Sequence, residues 1–283
     1  MTTASAPTLR QRRLGAELRK LRERAGLSST QAGKRLGVQQ ARVSMIEAGR
    51  YAVGAERVRA IAREYSCTDE KLMDALAGMT GGRTRGWWDE YRDYLPADLI
   101  DIAELEHHAH GFRVALAIHI PALLQTVDHA RALLREAVPA FRPYEIEHRL
   151  SYRIKRQAVL HSERPVRYSA ILHEAALHMR YGGEGTARAQ LKHLIEVGEQ
   201  ENIQVRVIPF TRGTFPGNGQ SFDYLCGPAP QLDTVQLDTH HGCEFLDAEA
   251  QLGKYRSVLE RMEANALKPD ESRDFIRRIA KSI

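Results

Sequence analysis

The sequence predicts a mainly α protein with an α+β second domain: an N-terminal five-helix bundle, then a helical segment and a small mixed sheet with C-terminal helices. Three observations carry this. Five short stretches with helical apolar spacing crowd into residues 10–78. A glycine-rich, charged joint, MTGGRTRG, follows at residues 79–86. After Pro165 the apolar spacing changes from a helical period to alternation.

Residues 1–9 are small and polar and are expected to lack fixed structure. The first helix should cover residues 10–25, with Leu14, Leu18 and Leu21 on one face and Gly26 as its stop. Ser28 caps the second helix, and Gln31 at the third position completes a capping box. Ala32 and Leu36 face inward, and Gly37 supplies a turn that requires positive φ. Val38, Val43 and Ile46 are the apolar pegs of the turn and of the third helix, which ends at Gly49. Val58, Ile61, Ala62 and Tyr65 mark a fourth helix; Leu72 and Leu76 mark a fifth. Residues 79–86 should flex as a linker.

A second domain, residues 87–283, begins at Trp87-Trp88. Residues 87–160 read as helical, with Pro96 and Pro121 where a first turn tolerates proline. Leu123, Leu124, Val127 and Leu134 suggest one apolar face, and residues 144–160 a further amphipathic helix. Val166, Tyr168 and Ala170 alternate as in a strand, as do Ile203, Val205 and Val207. Between them residues 186–200 are helical, with Leu191, Leu194 and Ile195 inward. Residues 222–224, 234–238 and 243–246 read as three more strands, and residues 251–267 and 269–281 as closing helices.

Charge is unevenly divided. Residues 1–78 hold fifteen Lys/Arg against eight Asp/Glu, or +7, whereas residues 87–283 hold twenty-four against twenty-eight, or −4. A basic front and a mildly acidic rear suit a front that meets a polyanion. Cys67, Cys226 and Cys243 are scattered and odd in number, which fits reduced thiols. No run of about eighteen apolar residues predicts a membrane span, and the N-terminus lacks the apolar core of an export signal. A cytoplasmic location is expected.

The segment LSSTQAGKRLGVQQARVSMIEAGR, residues 27–50, is the most specific signal. It reads as a helix-turn-helix, with Gly33 where the two helices approach. Such a unit pushes its second helix into a major groove about 12 Å wide. Gln39, Gln40 and Arg42 then reach base edges, since Gln pairs two-pronged with adenine and Arg with guanine. Ser29, Thr30 and Gln31 at the start of the preceding helix, together with Ser44 and Arg50, are placed for phosphates. Arg10, Arg12 and Arg13 add backbone charge, and Glu47 reads as structural. The expected partner is double-stranded DNA. One such domain covers only about 600–1,000 Å² of DNA, so a homodimer on a two-fold site is expected.

These residues resemble the Cro/phage-repressor (XRE-like) type of helix-turn-helix domain over about residues 14–76. The resemblance rests on Leu27-Ser28, Leu36-Gly37-Val38, Val43-Ser44, Ile46-Glu47 and Gly49-Arg50. Ser29 stands where the family often has a phosphate-bridging Gln, and Gln39 where it usually has a Ser-type cap. Residues 87–283 resemble the rear domain of an actinomycete-type group of regulators, through WWDEYRDYLPADLIDIAELE, IPALLQTVDHARALLRE, IEHRLSYRIKRQAVL and IQVRVIPFTRGTFPGNGQSFDYL. The resemblance implies regulation and partner binding without identifying a ligand; with the helix-turn-helix it makes a transcription regulator the expectation, its rear domain dimerising and sensing a small-molecule effector or a small protein partner. Some members are antitoxin-like and hold a small partner protein, which is the alternative reading.

The rear domain offers no catalytic motif: there is no nucleophile elbow, metalloprotease pair or dinucleotide loop, and an enzyme is not expected. His107, His108 and His110 with Glu104 and Glu106 suggest either a metal site or, more simply, exposed histidines on an acidic helix. His240 and His241 with Cys226 and Cys243 form a looser set. Neither predicts a resident metal or cofactor. Arg149, Arg153 and Arg156 form a basic stripe, either a solvated face balanced by Glu145 and Glu147 or an anchor for an acidic partner, phosphate or DNA. Arg212-Gly213 and Gly217-Asn218-Gly219 bracket a loop that is either a pocket mouth or a plain connection.

Overall fold

A computed structural model describes residues 6–81, 86–163 and 165–283. The chain divides into two compact units, Met1–Asp89 and Glu90–Ile283. Residues 82–85, in the middle of the expected linker, lie outside the described residues, as do residues 1–5. Met79, at the start of that joint, is buried in the first unit.

The first unit is built from α1 (Leu9–Arg24), α2 (Ser29–Leu36), α3 (Gln40–Glu47), α4 (Ala55–Glu64) and α5 (Glu70–Ala77). The expected loose N-terminal segment is corrected over its last residues. Thr8 is buried and caps α1 in a capping box: its Oγ1 accepts Gln11 N–H at 3.3 Å while Gln11 Oε1 accepts Thr8 N–H at 2.9 Å. The same device opens α2, where Ser28 and Gln31 satisfy each other at 3.2 and 2.8 Å. Gly37 ends α2 with φ +66°. Each apolar residue assigned to the four helical faces of α1, α2, α4 and α5, and Val43 and Ile46 of α3, is buried.

Two glycines allow these helices to come together. A Cβ on Gly33 would lie 2.7 Å from Val38 O, so α2 folds directly onto the turn that leads into α3. A Cβ on Gly15 would lie 2.4 Å from Glu47 O, so α1 lies against the end of α3.

In the second unit, α6 (Ala97–His107) leads into β1 (Gly111–Leu116), then α7 (Val127–Arg135) and α8 (Pro143–Arg156). β2 (Arg167–His173), α9 (Glu174–His178), α10 (Gly183–Val197) and β3 (Ile203–Ile208) follow. The unit closes with β4 (Phe222–Cys226), β5 (Thr234–Thr239), β6 (Gly242–Leu246), α11 (Glu249–Asn265) and α12 (Pro269–Ser282). Six strands form one sheet in the order β3-β2-β1-β4-β5-β6. β1, β2 and β3 run parallel; β4, β5 and β6 add antiparallel pairings. One face carries Phe112, Val114, Ala170 and Val205 beneath α10 and α12; the other carries Ala115, Ile171, Val235 and Leu237 against α11.

Two expectations are overturned here. Residues 87–160 are not all helical, because β1 lies within them at the centre of the sheet. Its Phe112, Val114 and Ala115 are buried on both faces, so Arg113 is the single polar residue in it and alternation marks it only weakly. Val127 is 44% exposed, because α7 begins there and Leu123 and Leu124 belong to a separate short 3-10 turn.

Candidate nucleic-acid interface

α3 separates its residues cleanly by face. Val43 and Ile46 are buried, while Gln39, Gln40, Arg42 and Ser44 are exposed, as is Arg50 just beyond. Gln39 sits at the N-cap with no side-chain capping bond, so its amide is not consumed in holding the helix start. Thr30 and Gln31 are exposed at the beginning of α2 and Ser29 is half-buried. All eight site residues read from the sequence thus fall on the two helices of the motif or at its end.

The geometry adds detail that spacing does not supply. Gln40 Nε2 donates to Ser44 Oγ at 2.8 Å and lies 3.4 Å from Ser29 Oγ. The two N–H groups of the Gln40 amide are thus turned toward the two serine hydroxyls, while its Oε1 stays open as an acceptor. Ser28 Oγ takes the Gln31 N–H and Gln31 Oε1 takes the Ser28 N–H, so Gln31 serves first as a cap.

Two residues of this surface were not read from the sequence. Tyr51 lies under Arg42: the guanidinium carbon is 4.2 Å from the ring centroid, and NH1 donates to the phenol oxygen at 2.5 Å. Stacking fixes a long side chain that otherwise loses rotamer freedom on binding. Met45 is 44% exposed on α3 and offers an apolar contact of the kind that suits a thymine methyl. An aromatic residue directly after Gly49-Arg50 was the available signal for Tyr51.

The frame behind this surface is ionic. Arg22 on α1 makes a fork to Glu47 on α3, Nε to Oε1 at 2.6 Å and NH2 to Oε2 at 2.9 Å, and its NH1 donates to Leu27 O at 2.7 Å. Both side chains are buried, and the bond to Glu47 holds the Arg22 guanidinium above its usual range. Glu47 is a structural residue here. Of the auxiliary arginines, Arg13 is buried beside Glu17 at 3.3 Å and does not reach a phosphate; Arg10 and Arg12 bond Gly78 O and Pro7 O at 2.7 and 2.6 Å.

The rear-domain clusters differ from expectation. His107 and His110 are exposed, as the simpler reading has it, but Glu104 and Glu106 are buried and give that face no solvated acids; His110 lies beyond the helix end, so it does not share a face with Glu106. The basic stripe on α8 points inward. Arg156 forks onto Glu106 at 2.7 and 2.6 Å, Arg153 donates to Gln125 Oε1 at 2.8 Å, and Arg149 lies 4.1 Å over the Phe141 ring. Neither Glu145 nor Glu147 bonds to it: Glu145 accepts Arg142 N–H and acts on Arg149 only through its charge, and Glu147 pairs with Arg131. The buried groups respond to one another. Burial lowers Arg153 to about 10, and burial, then Asp238 and Glu106, raise Asp223 to about 7.

Strand register puts Cys226 beyond the Leu225–Thr234 pair and Cys243 opposite Asp238, at opposite ends of β5. Among the described residues no three His, Cys, Asp or Glu side chains gather as a metal site requires. The loop before β4 is mostly exposed and touches α11 at two points: a Cβ on Gly217 would lie 2.9 Å from Val258, and Tyr255 donates to Gln220 at 3.1 Å. No helix among the described residues is long and apolar enough to cross a membrane.

Comparison with known families agrees with this division. A helix-turn-helix domain model matches residues 13–76, and the model for a domain of unknown function, DUF5753, matches residues 99–278. No curated protein and no solved structure matched the chain. The second match covers more than half of the sequence, and with the first it shows that the chain belongs to the DUF5753 family, as a helix-turn-helix regulator carrying that domain of unknown function behind its DNA-binding head.

Proposed function

We propose that the chain is a sequence-specific transcription regulator that binds double-stranded DNA as a homodimer, reads the major groove through α3, and senses a small-molecule effector or small protein partner through its second unit. The observation that carries the DNA reading is the polar outer face of α3: Gln39, Gln40 and Arg42 are exposed while the same helix is anchored by buried Val43 and Ile46 and by the Arg22–Glu47 fork. Ser29, Thr30, Gln31, Ser44 and Arg50 support it from positions suited to phosphates. The reading assigns no catalytic step and no cofactor to the protein.

A mobility-shift series on the DNA upstream of the chain's own coding sequence tests it. A salt-sensitive preference for one site is expected. Arg42→Ala should lower discrimination at a single base pair by about 1–3 kcal/mol and leave non-specific binding nearly unchanged. Tyr51→Phe should give a smaller loss at that same base pair, because only the bond that steadies Arg42 is removed. Uniform weakening on all sequences in both variants would refute base reading by Arg42.

A further inference from the structure

The second unit contains a cleft of about 500 Å³, within the range of small-molecule sites. It is open: Phe141 and Arg149 are half-buried and line its inner part, while Val138, 97% exposed, Pro139, His240 and His241 stand at its rim. Arg149 differs from the other two arginines on the inner face of α8. Arg156 is satisfied by Glu106 and Arg153 by Gln125. Arg149 Nε is fully buried yet makes no hydrogen bond to a described residue, and no described carboxylate lies within ion-pair distance of it.

The nearby acids, Glu145 and Asp98, favour the charge of Arg149 from a distance but make no hydrogen bond to it. Asp98 at the cleft accepts Cys243 N–H at 2.9 Å, and Glu145 accepts Arg142 N–H at 2.6 Å. Nε is closed to solvent, so the part of Arg149 offered to a ligand is the remainder of its guanidinium at the cleft, and the group that satisfies a guanidinium best is a two-oxygen anion meeting its planar fork. Phe141, 4.1 Å beneath the guanidinium, fixes that plane.

We propose that this cleft binds a small organic carboxylate with a flat apolar body, Arg149 taking the carboxylate, Phe141 and the rim residues Val138 and Pro139 contacting the body, and His240 and His241 standing at the opposite rim. The proposal rests on the ligand-sensing reading of the second unit and names the site and the ligand chemistry. A cation is disfavoured because Asp98 is the one carboxylate among the described residues lining the cleft and it faces the Arg149 guanidinium's charge there.

Calorimetric titration of the full chain with benzoate is the test, with benzamide as neutral isostere and inorganic phosphate as an anion lacking the apolar body. Saturable benzoate binding is expected, with benzamide and phosphate about tenfold weaker or worse. Arg149→Gln should weaken benzoate about tenfold, Arg149→Lys should recover part of that, and Phe141→Leu should weaken it severalfold with the charge intact. Should Arg149→Gln fail to fold, Arg149→Lys and Phe141→Leu carry the comparison. Absence of saturable benzoate binding up to about 10 mM, or equal affinity in the folded variants and the parent, would overturn the site. Operator affinity with and without saturating benzoate is read separately. Binding without any change on DNA would retain the site and count against ligand sensing; absent binding would sink the site whatever the DNA result.

Discussion

Arg22 and Glu47 decide how α3 is aimed. Their fork and the bond from Arg22 to Leu27 O join three segments, the end of α1, the connection into α2 and the last turn of α3, in a place where the two side chains are only 9% and 8% exposed. Breaking such a pair from one side leaves a buried charge uncompensated, at about 3–5 kcal/mol, whereas replacing both partners by apolar residues removes the desolvation cost as well. Urea unfolding should show Glu47→Ala as strongly destabilising and Arg22→Leu/Glu47→Leu as much closer to the parent; a Glu47→Ala loss below about 1 kcal/mol would show that packing alone orients α3. His129 is the corresponding residue in the second unit. It is buried, neither ring nitrogen finds a described partner, and burial, with Arg153 and His119, lowers it from 6.5 to about 4. The folded state resists the proton that the unfolded chain accepts, so the stability held above pH 6.5 declines as the pH falls toward 4, by on the order of 3 kcal/mol. His129→Leu should flatten the decline in melting temperature between pH 7 and 5. An unchanged slope would show that other groups cause it.

Legibility differed among elements for physical reasons. The helices of the first unit announce themselves because their caps and apolar stripes are local: Ser28 with Gln31, Gly37 at positive φ, and Leu14, Leu18 and Leu21 on one face. Gln39, Gln40 and Arg42 were readable as an exposed set for the same reason, whereas the support of Arg42 by Tyr51 spans the end of α3 and belongs to tertiary structure. β1 was hidden because a strand buried on both faces loses most of the alternation by which strands are recognised. The stripe of Arg149, Arg153 and Arg156 was visible, but its direction depended on Glu106 and Gln125, distant in sequence, which the fold brings to it. Helix glycines show the same contrast between local and tertiary control. Gly15→Ala improves helix propensity by about 1 kcal/mol, yet its Cβ would meet the Glu47 carbonyl at 2.4 Å, and backbone cannot yield cheaply. A net loss of about 1–3 kcal/mol and weaker operator binding are expected, since α3 must shift. Gly253→Ala in α11 meets only Arg256 NH2 at 3.9 Å and should stabilise by about 0.5–1 kcal/mol. If both glycines tolerate alanine equally, as judged by urea midpoints, the close approach of α1 to α3 is not the constraint.

Across the whole molecule the charge division and the size of one reading head set what binding should look like. Residues 1–78 carry +7 and residues 87–283 carry −4, so attraction to a duplex is concentrated in the first unit. An eight-residue α3 presents few base-reading side chains, and one such domain covers only about 600–1,000 Å². Two heads on one two-fold site multiply both contact and discrimination. Their half-sites must then lie on the same side of the duplex, about 10 base pairs or a multiple of that apart. Inserting about 5 base pairs between half-sites should reduce binding to that of a single half-site, while an insertion of a full turn is less damaging only if the dimer reaches across it. Salt supplies an independent reading. The logarithm of affinity should fall steeply with the logarithm of salt concentration, and Arg50→Gln should reduce that slope by about one if Arg50 neutralises a phosphate. Arg42→Ala should alter base preference with less effect on the slope if its target is a base edge. A half-site bound as tightly as the two-fold site, with no phase dependence and with sedimentation at monomer mass, would remove the dimer from this account while leaving the base-reading face of α3 to stand on the Arg42 experiment.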